Sequence, residues 1–138
     1  MIKIYNFARG ARGLRGFWVC EEMGLPYKAE TFAFPPPASY KALNPLGSVP
    51  FLEDDGGVAI NESVAIMLYL AQKYGPTPLL PAKDDPTLAR VLQMTVFGET
   101  TLGAPMNTLM AAHFMAPDTD KKNWSVRGTD ARVEQAIA

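Results

Sequence analysis

The chain has 138 residues and a formal net charge of −1, which is enough for one domain of ordinary size, or one small domain plus part of another. Its Lys and Arg residues are scattered with no basic stripe and no aromatic-basic interleaving, so no nucleic-acid partner is expected. Cys20 is the single cysteine and excludes an internal disulfide, His113 is the single histidine and argues against zinc, and no apolar run approaches membrane-spanning length. The start, Met1 to Tyr5, enters a strand pattern without a signal-peptide core. A cytoplasmic protein with no metal and no membrane partner is the simplest expectation.

Ile2 to Tyr5 alternates as a half-buried strand, and Phe7 to Gly13 reads as a loop punctuated by Gly10 and Gly13. Leu14, Phe17, Trp18 and Glu21 fall on helical spacing, with Gly24 as the cap near Met23 and Pro26 beyond. Tyr27 to Phe32 alternates again, which makes a βαβ unit with a right-handed crossover. Pro35-Pro36-Pro37 is a stiff connector, and Ser39 to Leu43 allows at most a short helical turn. Phe51-Leu52 and Val58 to Asn61 flank Asp54-Asp55-Gly56-Gly57 as a hairpin, followed by a helix from Glu62 to Tyr74 that Gly75 ends. Its apolar positions nearly encircle it, so burial on more than one side is expected.

The order βαβ then ββα predicts an α/β thioredoxin-like domain with a mixed sheet over residues 1–75. Gly75-Pro76-Thr77-Pro78, with Pro81 following, marks a linker over residues 76–85. Beyond it the composition predicts an all-α region over residues 86–138. Asp85-Pro86 starts a long helix running to His113 that Gly103 and Pro105 should kink or break. Ala116 to Asn123 is a polar connector, and Val126, Val133 and Ile137 suggest a second amphipathic helix. Two helices with apolar faces and nothing to cover them read as an incomplete domain.

The stretch from Asn44 to Ser63 carries the most backbone constraint. Val49-Pro50 lies just inside an apolar run, where proline is confined to a strand start or edge and the preceding bond is a candidate for the cis form. A cis bond would turn the N–H and C=O of Val49 outward, as an edge on which an extended peptide docks. Glu62-Ser63 then opens a helix whose N–H groups and positive dipole end suit a carboxylate. Together they predict a site for a small anionic peptide.

Three segments in register carry a family resemblance. Glu21-Glu22-Met23-Gly24-Leu25-Pro26-Tyr27, Leu43-Asn44-Pro45-Leu46-Gly47-Ser48-Val49-Pro50 and Ile60-Asn61-Glu62-Ser63-Val64-Ala65-Ile66-Met67-Leu68-Tyr69-Leu70 closely resemble the soluble glutathione S-transferases of bacterial type. The resemblance covers residues 1–75 and continues more weakly into a helical second domain, apparently truncated. It implies that Val49, before the cis-proline Pro50, pairs its backbone with the cysteinyl part of glutathione. It also implies that Glu62 and Ser63 hold the γ-glutamyl carboxylate and amine. Ser48 stands where the family often has a charged donor for the glycyl carboxylate, and Lys41 is a candidate substitute. The family's usual homodimer, packed through its third and fourth helices, is implied as well.

The catalytic position departs from the family pattern. Glutathione chemistry needs a thiolate, and a free thiol with a pKa of about 8.5 is mostly protonated at neutral pH. The usual serine column falls on Gly10 and the usual cysteine column on Arg12, and no hydroxyl or thiol occurs between Asn6 and Gly16. Arg12 is therefore the expected thiolate stabiliser, through Coulomb attraction and N–H donation, with the backbone N–H groups of Ala11 and Arg12 assisting. Tyr5 competes for the role, because Tyr5 followed by Arg9-Gly10 resembles the Tyr-x-x-x-Arg-Gly of the tyrosine-type branch; Arg9 is included among the glutathione contacts. Cys20, among Trp18, Val19 and Met23, reads as a small core hydrophobe. Met106, Leu109, Met110, His113 and Phe114 lie where the family builds its electrophile pocket. The function implied is transfer of glutathione, the co-substrate, to a hydrophobic electrophile. A glutathione-dependent isomerase, dehalogenase or ether-cleaving enzyme, and a non-catalytic glutathione-binding protein, remain alternatives.

Overall fold

The computed structural model describes residues 1–138 and divides into two compact units, Met1–Asp85 and Pro86–Ala138. Residues 76–85, read from sequence as a linker, group with the first unit.

The first unit contains β1 (Ile2–Phe7), α1 (Leu14–Glu22), β2 (Tyr27–Phe32), α2 (Ala38–Leu43), β3 (Phe51–Asp54), β4 (Val58–Asn61) and α3 (Ser63–Lys73). The four strands form one mixed sheet in the order β2-β1-β3-β4. β1 runs parallel to β2 with Ile4 opposite Ala29, and antiparallel to β3 with Ile4 opposite Leu52. This is the thioredoxin-like arrangement that the βαβ-ββα order predicts. β1 extends two residues beyond the sequence reading, to Phe7, because its pairing with β2 continues to Phe32.

Alternation along the strands builds both faces of the sheet. Ile2, Ile4 and Leu52 point to one face and are buried with Val19 and Cys20 of α1 and Ile66 and Leu70 of α3. Tyr5 and Phe51 point to the other, where Tyr40 of α2 is buried with its ring 4.5 Å from Phe32 and 5.4 Å from Tyr5. Gly16 lies on the first face, where a Cβ would come within 3.3 Å of both Ile4 Cδ1 and Ile66 Cγ2. The buried stripe of α1 is thus Gly16, Val19 and Cys20, while Leu14 and Trp18, expected on its apolar face, are 59% and 67% exposed. The sequence spacing selected the neighbouring face of the helix.

A second buried anchor closes the far end of α3. Asp54 at the end of β3 accepts hydrogen bonds from Lys73 Nζ (2.8 Å), Tyr69 Oη (2.9 Å), Tyr74 Oη (2.6 Å) and the Asp55 N–H (2.7 Å). Burial alone would raise its pKa, but the donors from Lys73, Tyr74, Asp55 and Tyr69 outweigh it and hold the carboxyl well below the usual range.

The second unit is helical: α4 (Leu88–Phe97), a π-helical turn (Gly98–Gly103), α5 (Ala104–Met115) and α6 (Trp124–Ile137). The kink or break expected at Gly103 and Pro105 takes the form of that π-helical turn. Proline brings no N–H to the helical ladder, and the wider turn just before it keeps the chain helical from 88 to 115. Asn123 caps α6 by accepting from the Val126 N–H at 3.0 Å. No helix is long and apolar enough to cross a membrane.

Because the Asp54 carboxyl is depressed in the folded state, its contribution is complete above the unfolded pKa of about 4 and is lost as the pH falls below it. Replacing Asp54 by Asn should cost about 3 kcal/mol at neutral pH. It should also flatten the acid limb of the stability profile, as measured by urea denaturation between pH 7 and pH 3.

Candidate functional site

Three segments of the first unit meet beyond the carboxyl end of β1. The first is the β1–α1 loop. Asn6 is buried and its Oδ1 accepts the Gly13 N–H at 3.2 Å, which ties the loop back to the strand. Gly13 has to be glycine for this contact, since a Cβ would lie 2.3 Å from Asn6 Cγ. Between these anchors Arg9 and Gly10 are exposed, Ala11 and Arg12 are half-buried, and Gly10 has φ +62°. The carbonyls of Ala11 and Arg12 accept from Leu14 and Arg15 in the first turn of α1.

The second segment leads into β3. Asn44 is almost fully buried; its Nδ2 donates to the Ser48 carbonyl at 2.8 Å and to Tyr40 Oη at 3.0 Å, and Tyr40 Oη donates to the same carbonyl. Two donors on one carbonyl fix the backbone immediately before Val49. The Val49–Pro50 bond is cis. Strand pairing begins only at Phe51, and the backbone of Val49 makes no hydrogen bond within the chain. Ser48 is exposed, as is Lys41, whose side chain runs beside the loop: a Cβ at Gly47 would meet its Cγ and Cε at 3.8 Å.

The third segment is the start of α3. Glu62 has φ +71°, the one positive φ outside glycine, in a region that costs a non-glycine residue about 1–3 kcal/mol. Its side chain is exposed, while Ser63 is buried. Arg15 Nη1 donates to Ser63 Oγ at 3.0 Å, joining the starts of α1 and α3 across 48 residues of sequence. Burial and the Arg12 guanidinium both lower the pKa of Arg15, which places the two arginines within electrostatic reach. Arg15 thus belongs with the candidates. Asn61 Oδ1, next to Glu62, is buried without a hydrogen-bond partner. Neither residue announced itself in the sequence, because nothing in one-dimensional spacing pairs position 15 with position 63.

Tyr5 is placed differently from its expected role. It lies on the α2 face of the sheet, and its hydroxyl donates to Glu53 Oε2 at 2.6 Å, beside Lys3 Nζ at 3.2 Å from the same oxygen. Burial and the Glu53 bond raise the Tyr5 pKa, so the phenol keeps its proton and donates a hydrogen bond to the Glu53 carboxylate. As arranged, that hydroxyl is not offered to a ligand. Cys20 is completely buried, and its thiol is pushed up to about 11 by burial, with Glu21 and Asp54 adding to the effect.

In the helical unit the five pocket candidates lie along α5. Met106, Met110 and Phe114 are 49%, 57% and 77% exposed along α5, Leu109 is half-buried, and exposed His113 holds Nε2 3.8 Å from Asp130 of α6. A cavity of about 650 Å³ lies between the π-helical turn with α5 and α6. It is lined by Thr100, Thr101, Thr108, Thr129, Arg132 and Gln135, with Ala104, Pro105 and Ala136. No three His, Cys, Asp or Glu side chains stand close enough to hold a metal ion.

With this geometry in hand, comparison with known proteins is specific. Residues 12–73 match the glutathione S-transferase N-terminal domain. That match lies within the first unit and takes in a little under half of the chain. It is 36% identical over 86 residues to glutathione S-transferase 3 of Schizosaccharomyces pombe, covering 59% of this chain and 34% of that protein. It is 52% identical over 88 residues to glutathione S-transferase Z1 of Arabidopsis thaliana, covering 58% and 38%. The chain thus spans little more than a third of the length of these relatives. Among solved structures, Ure2p in complex with glutathione superposes with a TM-score of 0.82 at 21% identity over 98% of this chain and 64% of that one. The glutathione transferase URE2P6 of Phanerochaete chrysosporium, in complex with oxidized glutathione, gives 0.83 at 22% identity over 99% and 64%. These likenesses establish the fold.

A thiol with a pKa of about 11 carries little thiolate at neutral pH. Cys20 in the native chain should therefore react with iodoacetamide at pH 7.5 on the order of 100-fold more slowly than free cysteine, and at the free rate in denaturant. A native rate near the free one, followed by mass spectrometry, would mean that α1 does not stay packed.

Proposed function

We propose that this chain binds glutathione across the three converging segments and activates its thiol for attack on a hydrophobic electrophile, as a glutathione transferase. The observation that carries the reading is the backbone of Val49, fixed by the doubly bonded Ser48 carbonyl and followed by a cis proline, on the same unit as Ser63 at the start of α3. An extended cysteinyl backbone pairs with Val49 as an added strand. The γ-glutamyl carboxylate sits at Ser63 and the N-terminal turn of α3, and its amine at Glu62. Ser48 donates to the glycyl carboxylate, with Lys41 and Arg9 supplying charge.

Arg12 stabilises the thiolate, with the N–H groups of Ala11 and Arg12 assisting; Tyr5 has no part in this arrangement. The thiolate forms a carbon–sulfur bond to the electrophile, and the protein contributes orientation and anion stabilisation. The family resemblance assigns the electrophile to Met106, Leu109, Met110, His113 and Phe114, where flexible methionine thioethers suit a loosely specified apolar ligand. The reading includes a cytoplasmic homodimer.

One observation favours a second reading. Residues 7–15 contain no hydroxyl and no thiol, so a non-catalytic glutathione-binding protein fits the same recognition elements. An isomerase, dehalogenase or ether-cleaving enzyme would use the same thiolate.

Retention on immobilised glutathione, paired with turnover of a chloronitroaromatic acceptor, separates catalysis from binding alone. Arg12→Ala should raise the pKa of the bound thiol by about 1 unit, read from its ultraviolet absorbance against pH, while Tyr5→Phe should leave it unchanged. An unchanged value in the arginine variant removes Arg12 from the mechanism.

A further inference from the structure

We propose that Arg15 is a positioning residue that makes the Ser63 hydroxyl a directed proton donor for a ligand carboxylate. The inference rests on the glutathione reading above and deepens it. A serine hydroxyl has one proton to give and two lone pairs to fill. Arg15 Nη1, 3.0 Å from Ser63 Oγ, is a charged donor that cannot accept a proton, so it occupies a lone pair and leaves the hydroxyl proton to point elsewhere. Ser63 is only 4% exposed and takes part in this one hydrogen bond as acceptor. A buried hydroxyl whose proton has no partner costs free energy until an acceptor arrives, and a carboxylate is the acceptor that gains most.

The surroundings select an anion for that acceptor. Ser63 occupies the first turn of α3, where backbone N–H groups lack intrahelical partners and the helix dipole is positive. The Arg15 guanidinium adds a full charge next to the oxygen, with Arg12 close enough to depress its pKa. Glu62 is held at φ +71° immediately before the serine, and its exposed carboxylate suits an ammonium group. The pattern of one directed hydroxyl, one guanidinium and one carboxylate fits an α-amino acid head, and the γ-glutamyl end of glutathione has one. Positioning depends on α1: Arg15 precedes Gly16, whose missing side chain lets the helix close on Ile66 of α3.

The test compares glutathione with its analogue amidated at the γ-glutamyl α-carboxylate, by calorimetric titration of the full chain. The unaltered chain should prefer the carboxylate about 10–100-fold, the range for a hydrogen bond to a charged group. Arg15→Met should reduce that preference to within about 3-fold while leaving binding of the amide unchanged, and adding Ser63→Ala should cause no further loss. Arg15→Lys, which keeps the charge and a donor, should restore part of the preference and serves if the methionine variant does not fold. A preference that persists in folded Arg15→Met, or equal loss for both ligands, overturns the positioning role. Equal binding of both ligands by the unaltered chain overturns it while leaving glutathione recognition standing. Binding of neither overturns the recognition itself and this inference with it.

Discussion

The closeness of α1 to the sheet and to α3 is the constraint from which the rest of the first unit follows. Gly16 leaves room for Ile4 and Ile66 to meet where a Cβ would stand 3.3 Å from each. Residues three apart share a helix face, so the seam that buries Ile66 also brings Ser63 toward α1. Arg15, the neighbour of Gly16, reaches Ser63 there. A core contact therefore sets the distance between two polar residues far apart in sequence.

The other parts of the candidate site are held by separate polar anchors. Asn6 fixes the end of the β1–α1 loop through Gly13, and Asn44 with Tyr40 fixes the carbonyl before Val49. Buried asparagines suit this work because one side chain satisfies backbone groups that no ladder reaches. At the opposite end of α3, Asp54 gathers Lys73, Tyr69 and Tyr74. The helix is thus tied at both ends, and the loops at its start are held in place by these side-chain hydrogen bonds. The strained Glu62 is tolerated where these anchors converge.

Much of this fold was legible in the sequence because it is written in local patterns. The two alternating strands, Gly24 with φ +63° after α1, and the turn through Gly56 and Gly57 each follow from neighbouring residues. So does the order of elements, and with it the thioredoxin-like sheet. Long-range choices were not legible. Which stripe of α1 is buried depends on the small residue at 16, and large apolar side chains at Leu14 and Trp18 misled the reading. Tyr5 looked available until Glu53, two strands away in sequence, took its hydroxyl. Arg15 and Asn61 are partners or orphans of residues that only folding brings near.

The central claim is that the segments around Arg12, Val49 and Ser63 form one site for glutathione. Titration of the isotope-labelled chain with glutathione, followed through backbone amide resonances, tests it most directly. The account predicts saturable shifts at Ala11, Arg12, Val49, Ser63 and Val64, with the amides around Asp54 and in α6 little changed. No saturable shifts, or shifts confined to the helical unit, would contradict it.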